Sequence, residues 1–155
     1  MSFPAYRIVK TALSDHAFDG ESARRFGGRW NSKSTGCVYA AQSASLAILE
    51  VLVHAGPRLL SNQYCLFEVQ VPENGVSRLR RRELPDNWRS NPAPLETAEI
   101  GDEWLRGNQG LALAVPSAVV PMEWIYLLNP RHAGFSQLVE QAKRLPLHFD
   151  SRLTL

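Results

Sequence analysis

Cysteine is scarce in this chain: only Cys37 and Cys65 occur among 155 residues, and both sit in apolar stretches. Two thiols without a secretory signal read as reduced, buried small hydrophobes rather than as a disulfide framework. Metal-ligand spacing is missing too. The four histidines, His16, His54, His132 and His148, stand in no register with the cysteines or with one another, so no metal site is expected. No apolar run reaches the roughly 18 residues that suggest a bilayer span. Met1 to Lys10 lacks the basic segment, apolar run and small-residue cleavage pattern of an export signal. A cytoplasmic protein without membrane association is expected. Excess charge of one sign is also absent: 17 Lys and Arg face 15 Asp and Glu, a formal net charge of +2. Contact with nucleic acid therefore has to rest on local clusters. No G-x-G-x-x-G follows a strand, so the usual signature of a resident dinucleotide cofactor is missing. Repeats, low-complexity tracts and linkers are absent as well. Residues 1–155 are read as one domain, long enough to bury roughly two thirds of its unfolded surface.

What the chain does have is a series of short elements. Tyr6 to Lys10 reads as a first strand, with Arg7 its odd member, and Asp15 to Arg25 as a loop or short helix. Cys37 to Ala40 fits a buried strand. Ser43 reads as the N-cap of a helix from Ala44 to Ala55 that stops at Gly56-Pro57. Tyr64 to Pro72 alternates like a strand with one wet face, and Asn74-Gly75 turns the chain. After a proline-containing loop from Trp88 to Leu95, Thr97 reads as the cap of a helix running to Arg106. Leu111 to Val115 is strand-like, broken at Pro116-Ser117 and continued by Ala118 to Val120 as a kinked strand or corner. Met122 to Leu128 reads as a strand, Phe135 to Lys143 as an amphipathic helix, and Leu145 to Phe149 as a tail or last strand.

Three stretches carry chemistry. The first is Gly27-Gly28-Arg29-Trp30-Asn31, which puts a charge between backbone hinges and a large aromatic. Glycines let main chain approach a ligand closely, and arginine offers a planar fork suited to phosphate or carboxylate. The alternative is a tight turn whose Trp30 plugs the core and whose Arg29 is solvated. The second is Glu50, the only formally charged residue of its helix. Leu46, Ile48, Leu49, Leu52 and Val53 cover most of that helix's circumference, as in a helix buried on nearly all sides. A carboxylate there either finds donors or has its pKa raised, unless it pairs with an arginine to hold elements together. The third is Ser117, small and hydroxylated at a strand kink, which alone is more ordinary as a backbone-satisfying serine. Arg78, Arg80, Arg81 and Arg82 form a basic run near Trp88 that either meets phosphates or is a solvated face.

A glycine-flanked arginine, a lone glutamate in an apolar helix and a serine at a strand kink, in this order, resemble the RES-domain family, which is named for those residues. The match is carried by GGRWN at 27–31, Tyr39 in the VYA strand, SLAILEVLVH at 45–54, AVPSAVVP at 114–121, LLNPRH at 127–132 and HFDSRL at 148–153. The chain departs from the family at Ile125, often asparagine, and at Ala133, often proline. The resemblance implies a single α+β domain similar to the ADP-ribosyltransferase fold, with central mixed or antiparallel sheets, a buried helix, a few peripheral helices and a cleft for NAD. It implies the toxin of a bacterial type II toxin–antitoxin system that depletes cellular NAD by cleaving the nicotinamide–ribose bond, as an NAD glycohydrolase or NAD phosphorylase. An ADP-ribosyltransferase acting on a protein or nucleotide is the alternative. A non-catalytic nucleic-acid-binding module using Arg78 to Arg82 is the reading from another class. NAD would be a substrate and no cofactor is implied, with inorganic phosphate as co-substrate in phosphorolysis. Carried over residue by residue, Arg29, Glu50 and Ser117 would be catalytic, and Gly28, Arg29, Trp30, Asn31 and Tyr39 would contact NAD. Ser117 would orient Glu50 or the ribose, since no histidine base stands ready to activate it as a nucleophile. The implied partner is a helix-turn-helix, Xre-type antitoxin, through which alone DNA would be reached, with a homodimer left open.

Overall fold

Alternation of apolar and polar residues builds a sheet first. In the computed structural model, which describes residues 1–154, β1 (Ser2–Lys10) and β3 (Tyr64–Pro72) run antiparallel over their whole length, Ser2 opposite Pro72 and Lys10 opposite Tyr64. β2 (Val38–Ala41), β5 (Ala112–Pro116) and β6 (Trp124–Leu128) form a second antiparallel block. Three-residue strands, β4 (Val76–Arg78) and β7 (Lys143–Leu145), close the two edges. The order of the seven strands is β4-β5-β6-β2-β1-β3-β7, and only β4 with β5 is parallel. The sheet is therefore mixed, as expected of an α+β domain.

The two blocks meet at a narrow seam. β1 and β2 share a single ladder pair, Tyr6 with Ala41, whereas β2 runs four pairs with β6. Arg7 stands in for the missing rungs: its Nη1 donates to the Tyr39 carbonyl of β2 at 2.9 Å and its Nε to the Ala17 carbonyl at 2.6 Å. Burial pulls this guanidinium down to about 10, so it is still charged at neutral pH. The odd polar residue of the first strand is thus a structural cation.

Side chains alternate across the sheet and sort the core into two clusters. Ala5, Val38, Val69, Val71, Ala114 and Tyr126 pack with Phe135 and Leu138 of α4 (Phe135–Glu140) on one face. Ala41, Leu113, Val115, Ile125 and Leu127 pack on the other. That second face is covered by Leu46 and Ala47 of α2 (Ala44–Ala55), by Ile100 and Trp104 of α3 (Leu95–Gly107), and by Trp30. The remaining helix, α1 (Glu21–Phe26), precedes the glycine-rich turn.

Several expectations need correction. Ser43 does cap α2, its Oγ accepting from the Leu46 amide at 3.0 Å. Yet the helix is not buried on nearly all sides. Only Leu46 and Ala47 are inside, while Leu49 and Val53 are 36% and 57% exposed, because β1 and β2 underlie just one side of it. Together with the 3-10 turn Gly56–Ser61, the run Ala44–Ser61 is long and apolar enough by composition to cross a membrane, beyond the limit expected from apolar runs alone. Here Gly56, at φ +54°, and Pro57 break it, and Leu46, Ala47 and Leu59 pack into the domain. Thr97 lies inside α3 rather than capping it, and Pro94 is the N-cap. Ala118 to Val120 do not continue β5. The chain turns there because the amides of Val119 and Val120 both donate to Ser117 Oγ at 3.0 Å. The last helix ends at Glu140 rather than Lys143, since Lys143–Leu145 pairs with β3 as an edge strand.

Candidate functional site

The glycine-rich turn is set from both sides. α1 ends at Gly27, whose φ of +71° redirects the chain, and the Gly28 amide closes the turn on the Asn31 carbonyl at 2.9 Å. α3 holds the other side with three residues of one face. The Thr97 hydroxyl donates to the Arg29 carbonyl at 2.6 Å, Asp102 Oδ1 accepts from the Ser32 amide at 2.9 Å, and a Cβ on Gly101 would overlap the Trp30 carbonyl. Trp30 and Asn31 are 2% and 1% exposed. Asn31 Nδ2 donates to the carbonyls of Ala23 and Thr35, and its Oδ1 accepts from the Tyr39 hydroxyl at 2.6 Å. Expected among the NAD contacts, these two residues instead lie beneath the site: the indole fills the core and the amide is saturated by protein.

Tyr39 is half-buried, and its hydroxyl also accepts from the Trp30 amide at 3.2 Å. Burial is the main reason its phenol lies well above the usual value. With the hydroxyl engaged, the ring is the part of Tyr39 left to meet a ligand. Gly28 is exposed above it, and a Cβ there would come within 2.7 Å of the Tyr39 hydroxyl oxygen. Glycine is thus required at 28 for close approach rather than for a left-handed φ.

Glu50 and Ser117, 67 positions apart, are joined directly. α2 carries Glu50 over the sheet, and the turn after β5 presents Ser117, whose Oγ donates to Glu50 Oε1 at 2.8 Å. Ser117, only 1% exposed, also accepts at Oγ from the amides of Val119 and Val120. The serine is therefore fully committed as an orienting group. The half-buried carboxylate finds its donor here, and among the described residues Glu50 and Arg29 form no ion pair. Arg29 directs Nη1 at two main-chain oxygens, Trp88 at 2.9 Å and Ser90 at 2.8 Å. Burial lowers its pKa; the nearby Glu50 carboxylate opposes this most, and Arg89 adds to the lowering. Glu50 and Arg89 therefore both lie within electrostatic reach of Arg29. Glu50 and Ser117 thus meet directly, with Arg29 within electrostatic reach of Glu50.

The site also contains residues to which the sequence alone gives no part in it: Arg89 and Ser90, with Trp88, expected only as a loop residue near the basic run, lie in the loop over Arg29, and Gly101, with Thr97, expected only as a helix cap, lies beneath the turn. The basic run lies elsewhere. Arg78 stacks over Trp124 at 5.4 Å, Arg80 approaches Glu83 at 3.7 Å, and Arg80, Arg81 and Arg82 are exposed. The last three arginines follow the edge strand β4 and face outward. Among the described residues no three His, Cys, Asp or Glu side chains gather as a metal site would require. A carboxylate fixed by a hydroxyl, a guanidinium beside it and an aromatic ring together suit an anionic ligand that develops positive charge as it reacts.

The chain is 40% identical over 148 residues to the protein named Toxin Res of Yersinia enterocolitica, covering 96% of this chain and 97% of that one. It is 34% identical over 137 residues to the Prs ADP-ribosylating toxin of a Sphingobium species, covering 85% of each. A chain from the crystal structure of the M. tuberculosis MbcT–MbcA toxin–antitoxin complex shares the fold, with a TM-score of 0.71 across 94% of this chain and 82% of that chain at 22% identity. The RES domain profile matches residues 4–150, and with nearly the whole length so covered the chain belongs to the RES-domain family.

Proposed function

We propose that this protein is the toxin of a type II toxin–antitoxin pair and that it depletes cytoplasmic NAD by breaking the bond between nicotinamide and ribose. The observation that carries the reading is the hydrogen bond from Ser117 Oγ to Glu50 Oε1 beside Arg29. Loss of nicotinamide takes the bonding electron pair with it and leaves an oxocarbenium-like ribose. A carboxylate held near that carbon and the 2′-hydroxyl stabilises the cation more than the ground state, which is the condition for acceleration. Ser117 occupies Oε1 and so leaves Oε2 for the sugar. Arg29 keeps Nε and Nη2 for a phosphate, and the Tyr39 ring flanks the nicotinamide. Water or inorganic phosphate then adds to the ribose and releases a proton, giving ADP-ribose or its phosphate ester. A helix-turn-helix antitoxin of Xre type is the proposed partner; the toxin–antitoxin complex to which the structural neighbour belongs supports an antitoxin as partner.

A second reading keeps the cleft and changes the acceptor. The Sphingobium relative, named as an ADP-ribosylating toxin, favours transfer to a macromolecule. Incubation of the purified protein with labelled NAD, with and without phosphate, separates the readings. Small products are expected, with yield dependent on phosphate if the enzyme is a phosphorylase, whereas label retained on protein or nucleic acid selects the transferase. Glu50→Gln is expected to slow NAD loss by roughly 10² to 10³ while keeping the parent's thermal transition. A folded Glu50→Gln protein that turns NAD over at the parent rate would remove the assignment.

A further inference from the structure

The loop at 85–94 places a second guanidinium at the site. The carbonyls on either side of Arg89, those of Trp88 and Ser90, both point at Arg29 Nη1, so the loop is pinned at the two positions flanking Arg89. Arg89 itself reaches the other wall: its Nε donates to the carbonyl of Ala118, the residue after Ser117, at 3.1 Å. Its Cζ lies 5.9 Å from the centre of the Trp88 ring, which braces it from the side. The side chain is exposed and, among the described residues, no carboxylate pairs with it. Two like charges are thus held near one another, Arg29 half-buried and Arg89 at the rim, and their mutual repulsion registers in Arg29. Such a pair costs energy until an anion lies between them.

We infer that Arg89 is a second anion-binding residue of this site, and that Arg29 and Arg89 each take one phosphate of a dinucleotide's pyrophosphate. The inference rests on the proposed use of NAD. Arg29 lies next to Glu50, where the ribose would react, so it takes the phosphate on the nicotinamide side. Arg89, farther out, takes the phosphate on the adenosine side. Because Nε is tied to Ala118, the two terminal nitrogens of Arg89 face the ligand with a fixed fork, a geometry that lysine cannot reproduce.

Calorimetric titration reads this without turnover. ADP-ribose, with two phosphates, and nicotinamide mononucleotide, with one, are titrated into the parent, Arg89→Gln and Arg89→Lys proteins. Loss of one charge-assisted contact is expected to weaken ADP-ribose binding about tenfold or more in Arg89→Gln, with Arg89→Lys intermediate and nicotinamide mononucleotide changed less than about twofold. Unchanged ADP-ribose affinity, an equal loss for both ligands, or a parent that binds neither would overturn the inference. A parent that binds ADP-ribose through Arg89 but leaves NAD intact would instead overturn the proposed reaction and leave this contact standing.

Discussion

At the scale of single residues, Ser117 shows how one hydroxyl can set both a turn and a reactive group. It accepts from two amides and donates to one carboxylate oxygen, so Ser117→Ala leaves Val119 and Val120 without their acceptor and Glu50 without its guide. The variant is expected to lose about 1–3 kcal/mol of stability, the cost of buried polar groups left unsatisfied. Its NAD turnover should fall as well, though by less than in Glu50→Gln. Urea unfolding and an NAD consumption assay on the same preparation check the two effects, and an unchanged unfolding midpoint would refute the structural half. Arginine 29 has a comparable double duty, because the nitrogen that fixes the 88–90 carbonyls is not the one left for a ligand.

At the scale of elements, α3 acts as a clamp on the glycine-rich turn. Gly101→Ala would drive a methyl group into the Trp30 carbonyl, whereas Gly107, at the end of the same helix, has nothing within 4 Å of the corresponding position. Gly101→Ala is therefore expected to destabilise the fold by about 3 kcal/mol or more. Gly107→Ala should be neutral or stabilising by up to about 1 kcal/mol. Thermal unfolding of the pair tests the clamp, and equal midpoints would exclude it. The same elements show what could be read in advance. β3 was legible because Phe67 to Val71 alternates apolar with polar residues, and α2 because Ser43 and Gly56-Pro57 mark its two ends. Arg29, Glu50 and Ser117 were legible as residue types out of place in their surroundings and through the family they resemble. The burial of α2 was misjudged, since composition says how much apolar surface a helix has but not how much sheet lies beneath it. β4 and β7 are too short for any periodicity. The loop after Trp88 was legible as a loop, but its contact with Arg29 was invisible for another reason: it is made through carbonyl groups, and every residue carries one.

At the scale of the whole molecule, buried ionisable groups set the alkaline limit of stability. Burial raises the Cys37 thiol from its ordinary 9.0 to about 12. Between those values the unfolded chain ionises while the folded one keeps its proton, so stability that is complete below pH 9 is lost as pH rises. Tyr39, raised from 10.0, adds to the loss above pH 10, while Arg7, lowered to about 10, opposes it there. From pH 9 to pH 10 Cys37 is therefore the main contributor, and the parent is expected to lose about 1 kcal/mol more than Cys37→Ala over that unit. Denaturant titrations of both proteins at the two pH values measure the difference, and parallel behaviour would contradict the assignment. The seam between the sheet's halves has its own consequence. α2, which bears Glu50, rests on both β1 and β2, yet those strands share one rung and a guanidinium. Any shift between the two blocks of strands would pass through that one joint, directly beneath the helix that holds the carboxylate, like a load carried on a single hinge.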